Sequence, residues 1–285
     1  MIKHLPEGLT PFEDCGFARA PLFPLADAPV DAACRVDGNT AVPCLQWWLN
    51  GAAQEPLTPV SRNGDCFRFH WDGFPYGTRL SYRFTAGEEQ TRVWDAPICR
   101  ELTLDAPTAL YRRADRAYLC FGERMVLEAW AEDVLHFRWH AEAPAELGEA
   151  CEQICLTLPE DFSLTLAKKN DFCELKRLSE TILTFKAVRV LMDGEGRVLR
   201  WTQAWGWSPR HVWGTGERFD AVDQRVGGSN GRVVEKFTRQ GEQTYLPMPF
   251  FMTDAGLGWH RRSTIPVALS FGENLTFTQD VEENG

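Results

Sequence analysis

No run of this chain approaches the ~18 consecutive apolar residues that a membrane-spanning helix needs. No stretch carries a helical apolar stripe longer than two turns, which leaves the helical fold classes without their main signal. Basic residues are in deficit: 30 Lys and Arg face 40 Asp and Glu, a net charge of −10. That balance argues against a nucleic-acid partner, whose phosphates require a basic patch. It also gives no reason to expect an anionic membrane surface as partner. The nine Cys include no CxxC pair, so neither a zinc site nor a redox pair is signalled. There is no Walker loop and no Gly-x-Ser-x-Gly elbow. The first residues, MIKHLPEGLTPFEDC, lack the apolar core of a secretory signal. The expectation is a cytoplasmic protein with reduced thiols.

Aromatic residues are plentiful, with 11 Trp and 18 Phe. Many alternate with polar residues at period two, the signature of a half-buried strand. Phe67, Phe69 and Trp71 do so, as do Leu80, Tyr82 and Phe84. Leu135, Phe137 and Trp139 repeat the pattern, followed by Ile265, Val267, Leu269 and Phe271. Turn dipeptides separate the runs: Asn50-Gly51, Asn63-Gly64, Asp72-Gly73 and Asp193-Gly194. Short strands and frequent turns predict an all-β fold built of sandwiches. A charged, apolar-poor stretch at 103–116 marks an expected boundary. The expected map is an extended lead-in over 1–15, an immunoglobulin- or fibronectin III-like sandwich over 16–106, and a larger sandwich over 117–285.

The most specific segment runs from Trp213 to Trp259. It opens with Gly214, Gly216, Glu217, Arg218 and Phe219, continues through a long polar loop, and returns through Pro249, Phe250 and Phe251. This order resembles the segment that precedes the catalytic barrel in glycoside hydrolase family 31, the α-glucosidase and α-xylosidase family. The resemblance covers somewhat more than half the chain and is specific over about 213–258. It implies that 117–285 is a galactose-mutarotase-like β-sandwich, with a pocket-lip loop at 226–245. It further implies that the catalytic (β/α)8 barrel is expected directly after Gly285.

The family's reaction is retaining hydrolysis of an α-glycosidic bond, without cofactor or metal. It needs two carboxylates flanking the scissile bond, ~5–9.5 Å apart, and in the family both come from the barrel. The nucleophile motif there, of the type Trp-x-Asp-Met-Asn-Glu, does not occur in this sequence. The resemblance therefore implies a non-catalytic N-terminal part that scaffolds the barrel and lines its sugar pocket. The expected partner is an α-linked glucoside. Lys236, Phe237, Gln240 and Tyr245 are the candidate substrate contacts, because they mix aromatics with polar groups as sugar sites do. The family's loop often carries an Asn and an Asp where this chain has Lys236-Phe237-Thr238-Arg239-Gln240, so only the region is carried over. Glu217 and Arg218 form a candidate ion pair behind the pocket, or a plain surface pair.

Two other readings compete. One is a stand-alone carbohydrate-binding sandwich. The other is a mutarotase-like epimerase, which needs a His and a Glu converging in a cleft. His136 and His140 are four residues apart; on a strand that is ~13 Å, too far to share one metal.

Overall fold

The structure is a computed structural model. It describes residues 1–7, 15–38, 41–122, 125–140, 143–169, 171–217, 221–225, 227–230, 244, 246–262 and 267–280. Among these residues there is no helix; the chain is all-β, built of antiparallel sheets. No helix is therefore long and apolar enough to cross a membrane. The chain divides into two compact units, Met1–Glu101 with Leu191–Arg197, and Leu102–Val190 with Val198–Gly285.

The first unit is a sandwich of two sheets. One sheet orders the strands Ile2–Lys3, Val30–Val36, Cys66–Trp71 and Ser61–Asn63, with Arg19–Ala20 also on Val30–Val36. The other orders Trp94–Pro97, Arg79–Ala86, Cys44–Leu49 and Ala52–Ala53, with Glu89–Gln90 on Arg79–Ala86. Alternation decides the core, since successive side chains leave a strand on opposite faces. Val30, Ala32, Cys34 and Val36 meet Phe67, Phe69 and Trp71 from one sheet, and Leu45, Leu80, Tyr82 and Phe84 from the other. Asn50 and Gly51, at φ 50° and 84°, close the two-residue hairpin between Leu49 and Ala52.

Residues 2–4 of the lead-in are part of this unit. Ile2 and Lys3 pair with Val36 and Arg35, and His4 is buried. Its Nδ1–H donates to Ala33 O at 2.7 Å and to Phe17 O at 3.0 Å. That leaves Nε2 to accept the Tyr82 hydroxyl at 2.8 Å, while Arg19 donates to the same hydroxyl at 3.3 Å. A neutral imidazole satisfies every member of this chain. The tip Leu191–Arg197 is tied just as closely. Asp193 accepts from Glu195 N, Arg197 N and Arg197 Nε, and its carbonyl accepts the Tyr76 hydroxyl at 2.6 Å. A Cβ on Gly194 would lie 2.5 Å from Gly77 Cα, so glycine alone fits there.

The second unit holds a larger sandwich. Its nine-stranded sheet orders Gln153–Thr157, Phe162–Ala167, Cys173–Arg177, Glu180–Met192, Val198–Trp207, Asn274–Asp280, Ala268–Phe271 and Gly228–Asn230, with Arg100–Leu104 on Glu180–Met192. A five-stranded sheet orders Leu135–His140, Met125–Ala131, Arg116–Phe121, Ala109–Arg113 and Glu149–Ala150. Residues 109–113, inside the stretch whose composition marks a boundary, are thus a paired strand. Phe121, Phe137 and Trp139 of the five-stranded sheet touch Phe172, Trp205 and Phe185 around the nine-stranded one, with ring centroids 4.9–6.5 Å apart. A third sheet, of three strands, orders Val212–Gly216, Pro247–Thr253 and Gly258–His260. All nine Cys are free thiols; Cys34, Cys99, Cys120 and Cys173 are buried.

The His4 imidazole predicts a definite acid response. Burial pushes its pKa from 6.5 down to about 4, only partly offset by the bond to Ala33, and the Arg19 charge pushes the same way. The folded state therefore binds this proton less readily than the unfolded chain. The contribution is fully present above pH 6.5 and is lost as pH falls toward 4, by ~3 kcal/mol in all. Melting temperature measured from pH 7 to pH 4 should drop along this window. His4→Gln should melt lower at pH 7 and show a shallower drop. An equal slope in both proteins would contradict the neutral assignment.

Candidate functional site

The segment from 213 to 259 is framed by the three-stranded sheet. Val212, Trp213 and Gly214 pair with Thr253, Met252 and Phe251, and Gly216 pairs with Pro247. The register shifts between Gly214 and Gly216: Met248, Pro249 and Phe250 of the returning strand stand opposite Thr215 alone, so the extra residues are on the returning strand. Gly214, Thr215 and Gly216 all have positive φ, at 122°, 69° and 102°. A Cβ at Gly216 would stand 2.2 Å from Leu246 O, and one at Gly214 would stand 2.7 Å from Phe250 O. The Gly-x-Gly motif therefore answers a backbone need, the close crossing of the strands that carry the loop.

Polar contacts close the base of the loop. Glu217 N donates to Leu246 O at 3.3 Å, and the Thr244 hydroxyl donates to Glu217 O at 2.5 Å. Leu246 N donates back to Thr244 Oγ1 at 3.0 Å. Asp223 knots the first limb. It accepts His211 Nδ1 at 2.6 Å, Val212 N at 3.0 Å and Arg225 N at 3.1 Å. The His211 bond, then the backbone bond from Val212, hold the Asp223 carboxyl down to about 2. The His211 ring lies parallel to Trp213 with centroids 5.8 Å apart. Arg225 caps the Phe271 and Gly272 carbonyls and lies 4.7 Å from the Trp207 ring. The Pro247–Thr253 strand buries Phe251 against Trp259 and Phe271, while Met248 and Met252 face outward, 53% and 49% exposed.

The four expected sugar contacts, Lys236, Phe237, Gln240 and Tyr245, lie outside the described residues, as do Arg218 and Ile265. What the structure does show is the frame on which the loop is mounted.

A second cluster escaped the sequence reading. Glu128 is buried on the Met125–Ala131 strand. Its Oε1 accepts Arg116 Nη1 at 2.5 Å and the Tyr118 hydroxyl at 3.3 Å, and its Oε2 lies 2.9 Å from His140 Nε2 and 3.9 Å from Arg138 Nη1. The two guanidiniums stand 4.4 and 5.4 Å from the Trp130 ring, which also stacks on His136 at 4.6 Å. Strand pairing explains the convergence: Glu128 lies opposite Tyr118 on one side and Arg138 on the other. The visible signal was a single carboxylate in the apolar run MVLEAWA. A His and a Glu do meet here, but Glu128 serves as a shared counter-ion. Burial alone would raise its pKa; the bonds from Arg116 and His140 outweigh this and hold it below the usual range. A carboxylate so occupied is a poor general base. Among the described residues no three His, Cys, Asp or Glu side chains gather as metal ligands.

Both features generate tests. Gly216→Ala adds a methyl group against a carbonyl at a left-handed φ. It should cost roughly 2–5 kcal/mol from backbone strain and overpacking together. Gly64→Ala is the control: its φ is also positive, but nothing lies within 4 Å of the new Cβ, so it should cost only about 1 kcal/mol. Equal losses on denaturant titration would refute the close crossing. Glu128→Gln should destabilise by roughly 1–3 kcal/mol, a value discounted because both guanidiniums reach solvent. Because its folded pKa is depressed, the wild-type contribution is present above the ordinary glutamate value and is lost as pH falls below it. The variant should therefore lose less stability on acidification than the wild type.

No family model matches this chain, and none of the curated proteins matches it in sequence. Solved structures do match. The cycloalternan-forming enzyme from Listeria monocytogenes, in complex with pentasaccharide substrate, aligns with a TM-score of 0.81 at 18% identity, over 98% of this chain and 30% of its own. A Listeria monocytogenes protein in complex with α-D-glucose, β-D-glucose, magnesium and calcium aligns with the same TM-score, identity and coverage. The cycloalternan-degrading enzyme from Trueperella pyogenes aligns with a TM-score of 0.54 at 17% identity, over 99% of this chain and 32% of its own. At such identities the likeness is one of fold: this chain has the fold of about a third of these carbohydrate-active enzymes, and it spans about a third of their length.

Proposed function

We propose that this chain is the non-catalytic N-terminal part of a family 31 retaining α-glycosidase, scaffolding the catalytic barrel and lining its sugar pocket. The observation that carries the reading is the lopsided alignment: nearly all of this chain is matched by under a third of each carbohydrate-active neighbour. The Gly-x-Gly to Pro-Phe-Phe segment supports it, as does the absence from this sequence of the family's nucleophile motif. A scaffold also needs a face on which a partner domain can dock. The Pro247–Thr253 strand presents the apolar side chains of Met248 and Met252 beside Trp213. The proposed ligand is an α-linked glucoside held at the pocket lip by Lys236, Phe237, Gln240 and Tyr245. The proposed setting is the cytoplasm, where nine free thiols stay reduced.

Two measurements test this. The chain by itself should turn over neither aryl α-glucosides nor aryl α-xylosides, for want of the carboxylate pair. Activity above a buffer blank that copurifies with the chain through successive columns would end the reading. In a protein that joins this chain to its barrel, Phe237→Ala should lower kcat/KM by about tenfold or more, ~1.4 kcal/mol, with the melting temperature nearly unchanged. A large melting loss at unchanged kcat/KM would make Phe237 a packing residue.

A further inference from the structure

The two sheets of the first unit present very different outer faces. On the sheet containing Val30–Val36, the outward residues Asp31, Arg35, Arg68 and His70 are tied in ion pairs and include no Trp, Tyr or Phe. The outer face of the other sheet carries Trp48. Its neighbours in sequence, Trp47 and Leu49, pack into the core, so alternation sends Trp48 out. Trp48 lies opposite Ser81, which lies opposite Asp95; Gln46 lies opposite Arg83.

These side chains brace one another. Arg83 Nε donates to Gln46 Oε1 at 2.8 Å, and its guanidinium lies over the half-buried Trp48 ring, 5.6 Å from the centroid. Ser81 Oγ donates to Asp95 Oδ1 at 2.6 Å, and Arg79 Nη2 donates to Asp95 Oδ2 at 2.8 Å. The bonds from Arg79 and then Ser81 outweigh the effect of burial and hold the Asp95 carboxyl below its usual range. The result is one indole bordered by an amide, a guanidinium, a hydroxyl and a carboxylate, all on the flat of one sheet.

We propose that this face binds a neutral oligo- or polysaccharide, one hexopyranose ring resting on Trp48 and its hydroxyls bridged by Gln46, Arg83 and Asp95. A pyranose offers an apolar C–H face and an equatorial rim of paired hydroxyls. An indole surrounded by planar polar groups complements both. The amide and guanidinium retain donors beyond those used on each other, and the carboxylate has further lone pairs. Ordering before binding lowers the entropic cost of capture. A phosphate-bearing ligand is disfavoured, because Asp95 neutralises Arg79 at the same spot. A protein-docking face would show a contiguous apolar patch, whereas here a single aromatic sits among polar groups. The inference goes beyond the pocket-lip reading and does not need it, since these residues belong to the other unit.

The test is native gel electrophoresis of the whole chain through gels containing soluble amylopectin or dextran. At least one of these should retard the wild-type chain relative to a non-binding standard, equally at low and high salt, as suits a neutral ligand. Trp48→Ala should weaken the apparent affinity by about tenfold or more, as loss of a central aromatic does. The double variant Gln46→Ala and Ser81→Ala should weaken it as well, which covers the case of a misfolded Trp48 variant. Near-UV circular dichroism checks that each variant keeps its fold. Arg68→Ala, on the opposite outer face, should be retarded as strongly as the wild type, each measured against its own mobility in a glucan-free gel. No retardation in either glucan, retardation that vanishes at high salt, or retardation unchanged in a folded Trp48→Ala would each overturn the proposal. Because the readout is binding and not hydrolysis, the result is independent of whether the chain belongs to a glycosidase.

Discussion

Phe185 is the contact on which the second unit depends. It is fully buried and touches Phe172, Trp139 and Trp205, joining strands of the five-stranded and nine-stranded sheets. A chain of sheets has no helices to cover its apolar faces, so each sheet must cover another. Large rings do this economically: each fully buried side chain of this size contributes ~1.5–3 kcal/mol by removal from water. The first unit uses the same device with Phe67, Phe69, Trp71, Tyr82 and Phe84. The abundance of aromatic residues is thus chiefly a matter of packing, whereas half-buried Trp48 faces away from the core with Arg83 over its ring.

Within these apolar interiors a few polar groups hold place and register. His4, Glu128 and Asp193 are each buried and each met by several partners. A buried polar atom left without a partner costs about 1–3 kcal/mol, so each group tolerates only the arrangement that satisfies it. For His4 that arrangement demands a neutral ring. For Glu128 it demands an anion shared among Arg116, Arg138 and His140. The same demand removes Glu128 from the proton-transfer role that a His–Glu pair otherwise invites.

The segment from 213 to 259 shows how backbone geometry can hold two strands close together. Three successive residues at positive φ let the leading strand cross the returning strand closer than any side chain would permit. Thr244 and Asp223 then tie down the loop's base with hydrogen bonds to main-chain atoms. The proposed glycan face uses the opposite strategy, with side chains presented directly on a sheet and braced by one another.

The all-β class was legible in the sequence, because alternation and turn chemistry are local. Phe67, Phe69 and Trp71 announce a strand whatever lies across from them, and Asn50-Gly51 announces its hairpin. The Gly214-Thr215-Gly216 motif was legible as a signal, but its reason was not: the obstacle to a side chain there is the carbonyl of Leu246, thirty residues on. The Glu128 cluster and the Trp48 face were not legible as sites. Glu128 meets residues 10 and 12 positions away, and His4 meets Tyr82 across 78. Such meetings are set by which strand lies beside which, and in what register. A strand's own pattern specifies which of its faces is buried, but not its neighbour. Sequence alone thus determined the strands, the turns and the apolar faces of this protein. Tertiary structure decided which polar groups share a face, because sheet order is a property of the whole fold.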